Sequence, residues 1–400
     1  MLIQNKKTLA LIASCAAIFW PGAFIFGFSG VMGPHWQKIF GVGSSAVGQS
    51  LFWVLAGTGI FMYPVGRLQE KIGPVRLVAM GAFLCGLATI MVGYAWGMTA
   101  IYQWAFVTGI ASSLIYIPAL TVVQRWYPSA RGLVTGLVSM VFGLSGAIMS
   151  PIFTLLLNGL GYTAMTFITG LLALVMCLAF AGFVRFPSPD GRNVSDTEER
   201  SPAQLLNLDV SRSLRTPAFW LLWSTWAMAG ASGIAMVTLS AQFGVASGYG
   251  IEQAVWVLTA FNLTNGLGRI VSGHFSDRFG RNSTMASTFL CAGIAYLLLP
   301  HTSGLTTWAF LAAVVGLAFG TLFAVSAPLA SDCFGMKHFG AIFGLVFTGY
   351  GFVAGPIGPW LSGLLLDRTQ GNFILVFTYL GLLYLVSAIT IWFVRPPKAG

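Results

Sequence analysis

Charge is scarce in this chain. Only 8% of its 400 residues are Asp, Glu, Lys or Arg, where a soluble domain carries about a quarter. With 56% hydrophobic residues and a mean hydropathy of +0.82, it has too little polar surface to cover itself in water. Acidic residues are the scarcest, ten against twenty basic ones, and none lies in the interior of an apolar run. Cysteine is sparse too. Cys15, Cys85, Cys177, Cys291 and Cys333 each sit in or at the end of an apolar run, and none has CxxC spacing. That excludes a disulfide framework and a zinc site, and leaves small buried apolar residues. There is no HExxH, no phosphate loop and no nucleophile–base pair, so an enzyme is excluded and neither cofactor nor metal is expected. The net charge of +10 does not point to nucleic acid, because no basic stripe with interleaved aromatics appears.

What the chain does have is length in its apolar runs. About 20 such residues cross about 30 Å of hydrocarbon at about 1.5 Å per residue. The runs fall at 9–31, 45–65, 76–97, 99–122, 132–157 and 161–184, then at 217–240, 252–274, 283–300, 304–327, 339–364 and 372–394. Their reading is an all-α membrane protein of twelve transmembrane helices in a lipid bilayer. Lys6 and Lys7 before the first run resemble the start of a signal peptide. No small-residue cleavage site follows, so that run is expected to be a retained helix.

Basic residues set the orientation. With the N-terminus inside, seventeen of the twenty fall on the cytoplasmic side: Lys6, Lys7, Arg67, Lys71, Arg76, Arg125, Arg131, Arg185, Arg192, Arg200, Arg212, Arg215, Arg278, Arg281, Lys337, Arg395 and Lys398. Lys38 and Arg368 fall outside, and Arg269 lies within a span. The positive-inside rule then places both termini in the cytoplasm and the chain in the cell (inner) membrane. The longest connection divides it into a six-helix bundle at 1–184, a linker at 185–216 and a second bundle at 217–400. In that linker Ser201-Pro202 can start a short amphipathic helix carrying Leu205, Leu206 and Leu214, and Thr216-Pro217 reads as a cap and first helical position. A monomer is expected.

The two halves echo each other. Gly66-Arg67-Leu68-Gln69-Glu70-Lys71-Ile72-Gly73 recurs 207 residues later as Gly273-His274-Phe275-Ser276-Asp277-Arg278-Phe279-Gly280. Gly132, Gly136 and Gly143 recur 208 residues later as Gly340, Gly344 and Gly351. GRLQEKIG and GHFSDRFG resemble the loop signature of the major facilitator superfamily, with Glu70 where that signature prefers Asp. The resemblance covers essentially the whole chain. It implies a site between the halves near mid-membrane, reached alternately from each side by rocking. It also implies that Gly66, Glu70, Lys71, Gly73, Gly273, Asp277, Arg278 and Gly280 form a conformational latch, with glycines that let helix ends approach closely.

Intramembrane charge points to the site. An Arg at mid-helix costs about 2.5–3.5 kcal/mol on insertion scales, so it faces a cavity or a partner. Arg269 shares one helical face with Asn262, Asn265, Gly266 and Gly273. Glu252 and Asp332 stand only at span ends, so the guanidinium has no acid to neutralise it and is a fork for a small carboxylate anion. Met62 holds the equivalent place in the first half, so only the second half carries the charge. Helical facing adds Phe28, Ser139, Phe142, Phe323 and Tyr350 as an apolar wall. Gly351-Phe-Val-Ala-Gly355-Pro356 reads as a close-packing and hinge element.

Arg269-Ile-Val-Ser-Gly273 resembles span eight of the monocarboxylate transporters and of the oxalate–formate exchanger family. Leu214 to Trp220, Tyr116-Ile-Pro118 and Arg131-Gly132-Leu133 resemble other stretches of the same bacterial group. The resemblance implies that Arg269 clamps the substrate carboxylate and that Tyr116 faces it with a hydroxyl. Three departures narrow this. Asn265 stands where many such carriers have a titratable Asp. Gly33-Pro34-His35 stands where they have a Lys after a Pro, and His35 is either its pH-sensitive replacement or a plain loop histidine. No basic residue lies between Phe339 and Leu364, where the oxalate pattern has one. A dianion would keep one charge unmatched, so a monocarboxylate such as lactate, pyruvate or formate is favoured, by proton symport or exchange against a counter-anion. Export of drugs or other amphipaths fits the aromatics but leaves Arg269 without a purpose.

Overall fold

The computed structural model describes residues 2–187, 208–335 and 338–397. Twelve membrane helices follow in order. α1 is built from the continuous segments Leu2–Gly22, Ala23–Phe28 and Ser29–Phe40, the middle one π-helical. α2 is Ser44–Ile72, α3 Pro74–Val92, α4 Met98–Trp126, α5 Arg131–Leu160 and α6 Tyr162–Ala181. α7 is Pro217–Ala246, α8 Ile251–Phe279, α9 Arg281–Leu298 and α10 Leu305–Phe334. α11 runs through Phe339–Thr348, two π segments at Gly349–Ala354 and Pro356–Trp360, and Leu361–Arg368, and α12 is Phe373–Trp392. Eleven of these are long and apolar enough to cross a membrane. The twelfth, α8, has the length, 29 residues, but is too polar to qualify, with Asn262, Asn265 and Arg269 along it.

Several helices outrun their apolar stretches. A 29-residue helix is about 44 Å long at about 1.5 Å per residue, well beyond the hydrocarbon. The repeated octets are therefore the last turns of α2 and α8, not loops. Only Gly73 and Gly280 turn the chain, at φ +83° and +90°, a left-handed conformation in which a side chain is strained. His35 likewise lies within helical α1, against the Tyr162 ring at 5.2 Å, and is not a loop histidine. Thr216 caps α7 as its sequence suggests, accepting from Phe219 N–H, with Pro217 at the first position. The helix Val210–Leu214 precedes it, capped by Asp209. Ser201, Pro202, Leu205, Leu206, Arg192, Arg200, Lys337 and Lys398 lie outside the described residues.

Helices α1–α6 and α7–α12 meet along α2–α11 and α5–α8. Their contact is closed on the face opposite the chain ends. There the Asp367 carboxylate, at the end of α11, accepts from the N–H groups of Ser44 (2.6 Å) and Ser45 (2.9 Å), which open α2. On the same face Asn158 of α5 donates to Glu252 of α8 at 2.8 Å. Toward the middle, Gly59 packs on Gly351, and Gly143 on Gly266, backbone against backbone. On the chain-end face the seam is open. Among the described residues a Cβ added at Gly66, Gly136 or Gly273 would meet nothing within 4 Å, and one at Gly344 would meet only Tyr63. In this conformation Gly66 and Gly273 face open space.

Asp367 replaces an intrahelical cap, a role worth about 1 kcal/mol. Asp367→Ala is expected to raise the population with separated α2 and α11 ends roughly five-fold, read by spin-label distances across that face. A distance distribution identical to wild type would show that the carboxylate does not hold the seam.

Candidate functional site

Arg269 occupies the middle of the seam. It is the one charged side chain fully buried among the described residues, 1% exposed. No carboxylate reaches it: the ion pairs among the described residues join Arg125 to Glu70, and Arg281 to Asp277 and Asp332. Its charge is met by neutral acceptors. Nη1 donates to Ser139 Oγ at 2.6 Å and to the Ser139 carbonyl at 3.0 Å. Nη2 donates to Asn265 Oδ1 at 3.2 Å, one turn back on α8. The guanidinium lies over the ring of Phe323 at 4.4 Å, with Phe142 at 5.8 Å. A desolvated cation–π contact contributes about 2 kcal/mol, so these rings offset part of the burial cost. Nε has no partner, and the amide nitrogen of Asn265 has none either. Two donors on neighbouring side chains are therefore buried and unsatisfied, which natural structures tolerate mainly at functional sites.

A cavity opens beside this centre. It is lined by Ile25, Phe26, Leu55, Thr58, Met62, Ser112, Tyr116, Phe142, Phe323, Phe347 and Tyr350. Its free volume is ≈ 20 Å³, room for about one water. Phe142 and Phe323 belong to both the cavity wall and the guanidinium's cover. Tyr116 and Tyr350 bring the two phenol hydroxyls to this wall, and Tyr116 reaches toward Arg269. Of the side chains singled out from sequence, Arg269, Asn265, Tyr116, Phe142, Phe323, Tyr350 and Ser139 come together here. Two stand apart. Phe28 packs against Trp104 (5.0 Å), Phe153 (5.4 Å) and Trp36 (6.0 Å), outside the cavity. Asn262 donates to the Phe26 carbonyl at 3.0 Å and so joins α8 to α1.

The π segment Ala23–Phe28 explains the first. Bonding i→i+5 widens the turn and changes which residues face inward, so 100° arithmetic fails through it. Phe26, not Phe28, reaches the cavity. Thr58, Ser112 and Phe347 had no sequence signal, since small polar and apolar residues recur throughout these helices, and Met62 was marked only as the first-half counterpart of Arg269. The latch residues divide similarly. Glu70 pairs with Arg125 of α4 and Asp277 with Arg281 of α9, while Lys71 and Arg278 form no ion pair among the described residues. Asp332 sits 207 residues after Arg125. The repeat thus puts an acid where the first half has a base, and Arg281 bridges the two acids.

The fold, the seam and the repeat have a known counterpart. The profile of the Major Facilitator Superfamily matches residues 12–255 and again 221–400. The chain belongs to this superfamily. It is 28% identical over 278 residues to the oxalate:formate antiporter of Oxalobacter formigenes, a match covering 68% of this chain and 65% of that protein, just under two thirds. It is 26% identical over 370 residues to the probable sulfoacetate transporter SauU of Cupriavidus necator, covering 84% and 83%. It is 24% identical to the uncharacterized MFS-type transporter YhjX of Escherichia coli, covering 74% and 73%. Among solved structures, a bacterial homolog of the human lysosomal transporter Spinster, inward-facing and unoccupied, superimposes with a TM-score of 0.68 over 97% of this chain and 94% of that one, at 12% identity. The protein is thus a multi-pass membrane transporter of the major facilitator fold.

Proposed function

We propose that this transporter carries small monocarboxylates across the cell membrane by alternating access. The observation that carries the reading is Arg269, a buried cation on the seam with an unpartnered Nε and no acid beside it. A planar carboxylate is the ligand whose geometry matches an open guanidinium edge. One cation neutralises one carboxylate, and the cavity beside it holds no second cation, which favours a monoanion over a dianion such as oxalate. The narrow aromatic wall suits a short carbon chain. Relatives named for oxalate, formate and sulfoacetate, all small organic anions, support the class. The seam is closed on one face, so in this conformation the site opens toward the chain ends. The excess of basic residues there makes that face cytoplasmic. The bundles rock as units about the α2–α11 and α5–α8 seams, and the glycines now in open space close the chain-end face in the opposite state. No carboxylate lies in the interior of an apolar run to carry a proton, so exchange of anions is favoured over symport.

The test is uptake into proteoliposomes of labelled formate, lactate, pyruvate and oxalate, with and without a pH gradient and with each acid preloaded. Monocarboxylates are expected to enter faster than oxalate, and preloading is expected to stimulate entry more than the gradient does. No carboxylate entering under any condition would overturn the reading.

A further inference from the structure

Ser139 is the hydrogen-bond acceptor that α5, across the seam, offers Arg269; Phe142 of α5 and Tyr116 of α4 also face the guanidinium from that side. Ser139 presents two oxygens, Oγ and the main-chain carbonyl, to one nitrogen, at 2.6 and 3.0 Å. Two acceptors close together on one side of a guanidinium are what a carboxylate presents. The serine is 5% exposed, so water does not compete for the hydroxyl. It lies one turn of α5 before Gly143, whose missing side chain keeps the space beside the free Nε.

We infer that Ser139 is a positioning residue that acts as the resident ligand of Arg269 in the empty carrier and ties the two bundles together until substrate arrives. This rests on Arg269 as the carboxylate clamp. The chain of consequences is physical. Moving the bundles in the empty state pulls Nη1 off Ser139 and leaves a buried guanidinium without that compensation, which is costly in a dry interior. An arriving carboxylate neutralises the guanidinium at the Nε–Nη2 edge, and the tie to Ser139 is no longer required. The serine therefore resists reorientation of the unloaded carrier and permits that of the loaded one. It enforces exchange with no titrating group at all. It also competes with substrate for the guanidinium's hydrogen-bonding capacity, and so holds affinity below its limit.

The test compares wild type, Ser139→Ala, Ser139→Thr and Arg269→Gln in proteoliposomes with labelled formate, measuring exchange and net efflux into anion-free medium. Ser139→Ala is expected to lower the KM for exchange, and to raise net efflux relative to exchange, each by roughly ten-fold, the scale of one hydrogen bond to a charged group. Ser139→Thr keeps the hydroxyl and is expected to restore the wild-type ratio. A serine that merely packs would lower both fluxes together and leave their ratio and the KM unchanged, and that result overturns the inference. If Arg269→Gln is inactive while Ser139→Ala behaves as wild type, the resident-ligand role fails and the clamp stands. If Arg269→Gln transports normally, the clamp itself fails.

Discussion

Arg269→Gln is expected to lower monocarboxylate transport by roughly 30-fold to more than 1,000-fold. Truncating one member of a buried charged pair costs about 2–5 kcal/mol, and about 1.4 kcal/mol is a factor of ten. Arg269→Lys keeps the charge but loses the planar fork, so it is expected to fall between the two. The variant's stability discriminates between function and packing. A guanidinium buried with an unsatisfied Nε and no acid is a burden on the empty protein. Its removal is therefore expected to leave the melting temperature equal or higher, by about 1 kcal/mol or more of stability. Loss of transport together with loss of folded protein would instead make Arg269 a structural residue. Rates normalised to folded, reconstituted carrier, read beside the melting curve, separate these outcomes.

Gly143→Ala is expected to reduce transport at least ten-fold by a different route. A Cβ there meets Gly266 Cα at 2.8 Å and Arg269 Nε at 3.2 Å. The first contact is with backbone, which cannot rotate away, so α5 and α8 must part; overpacking of this kind costs about 1–3 kcal/mol. The second fills the space beside the donor on which the carboxylate is proposed to dock. Gly159, on the same helix, meets nothing within 4 Å. Gly159→Ala is accordingly expected to transport as wild type and to gain a few tenths of a kcal/mol from helix propensity. The comparison removes any general intolerance of α5 to alanine. Equal rates for the two variants would mean that the Gly143–Gly266 crossing does not govern the site.

How much of this was legible in the sequence depends on how far each feature reaches along the chain. Apolar runs and the octet repeat are local patterns, and they predicted the superfamily fold. Asn265 and Arg269 are one turn apart on one helix, so their pairing at 3.2 Å could be read from spacing alone. Ser139 was placed only as a wall residue. Its bond to Arg269 spans 130 residues and two bundles, and a serine in an apolar helix gives no sign of such a partner. The same holds for Glu70, whose ionic partner is Arg125 on α4 and not the neighbouring Lys71. Phe28 shows a second limit. Facing inferred at 100° per residue assumes a regular helix, and the π segment Ala23–Phe28 breaks that assumption where the cavity begins. Helix ends were misjudged for a third reason. Hydropathy detects what lipid covers, and α2 and α8 continue beyond it through charged turns that fold perfectly well in water.

The central claim is that one guanidinium recognises one carboxylate. Calorimetric titration of the purified carrier with lactate and with lactamide, which keeps the shape and loses the charge, tests it most directly. The prediction is that wild type binds lactate and not lactamide, and that Arg269→Gln binds neither. Binding of lactate to Arg269→Gln with wild-type affinity, or of lactamide to wild type as tightly as lactate, would contradict it.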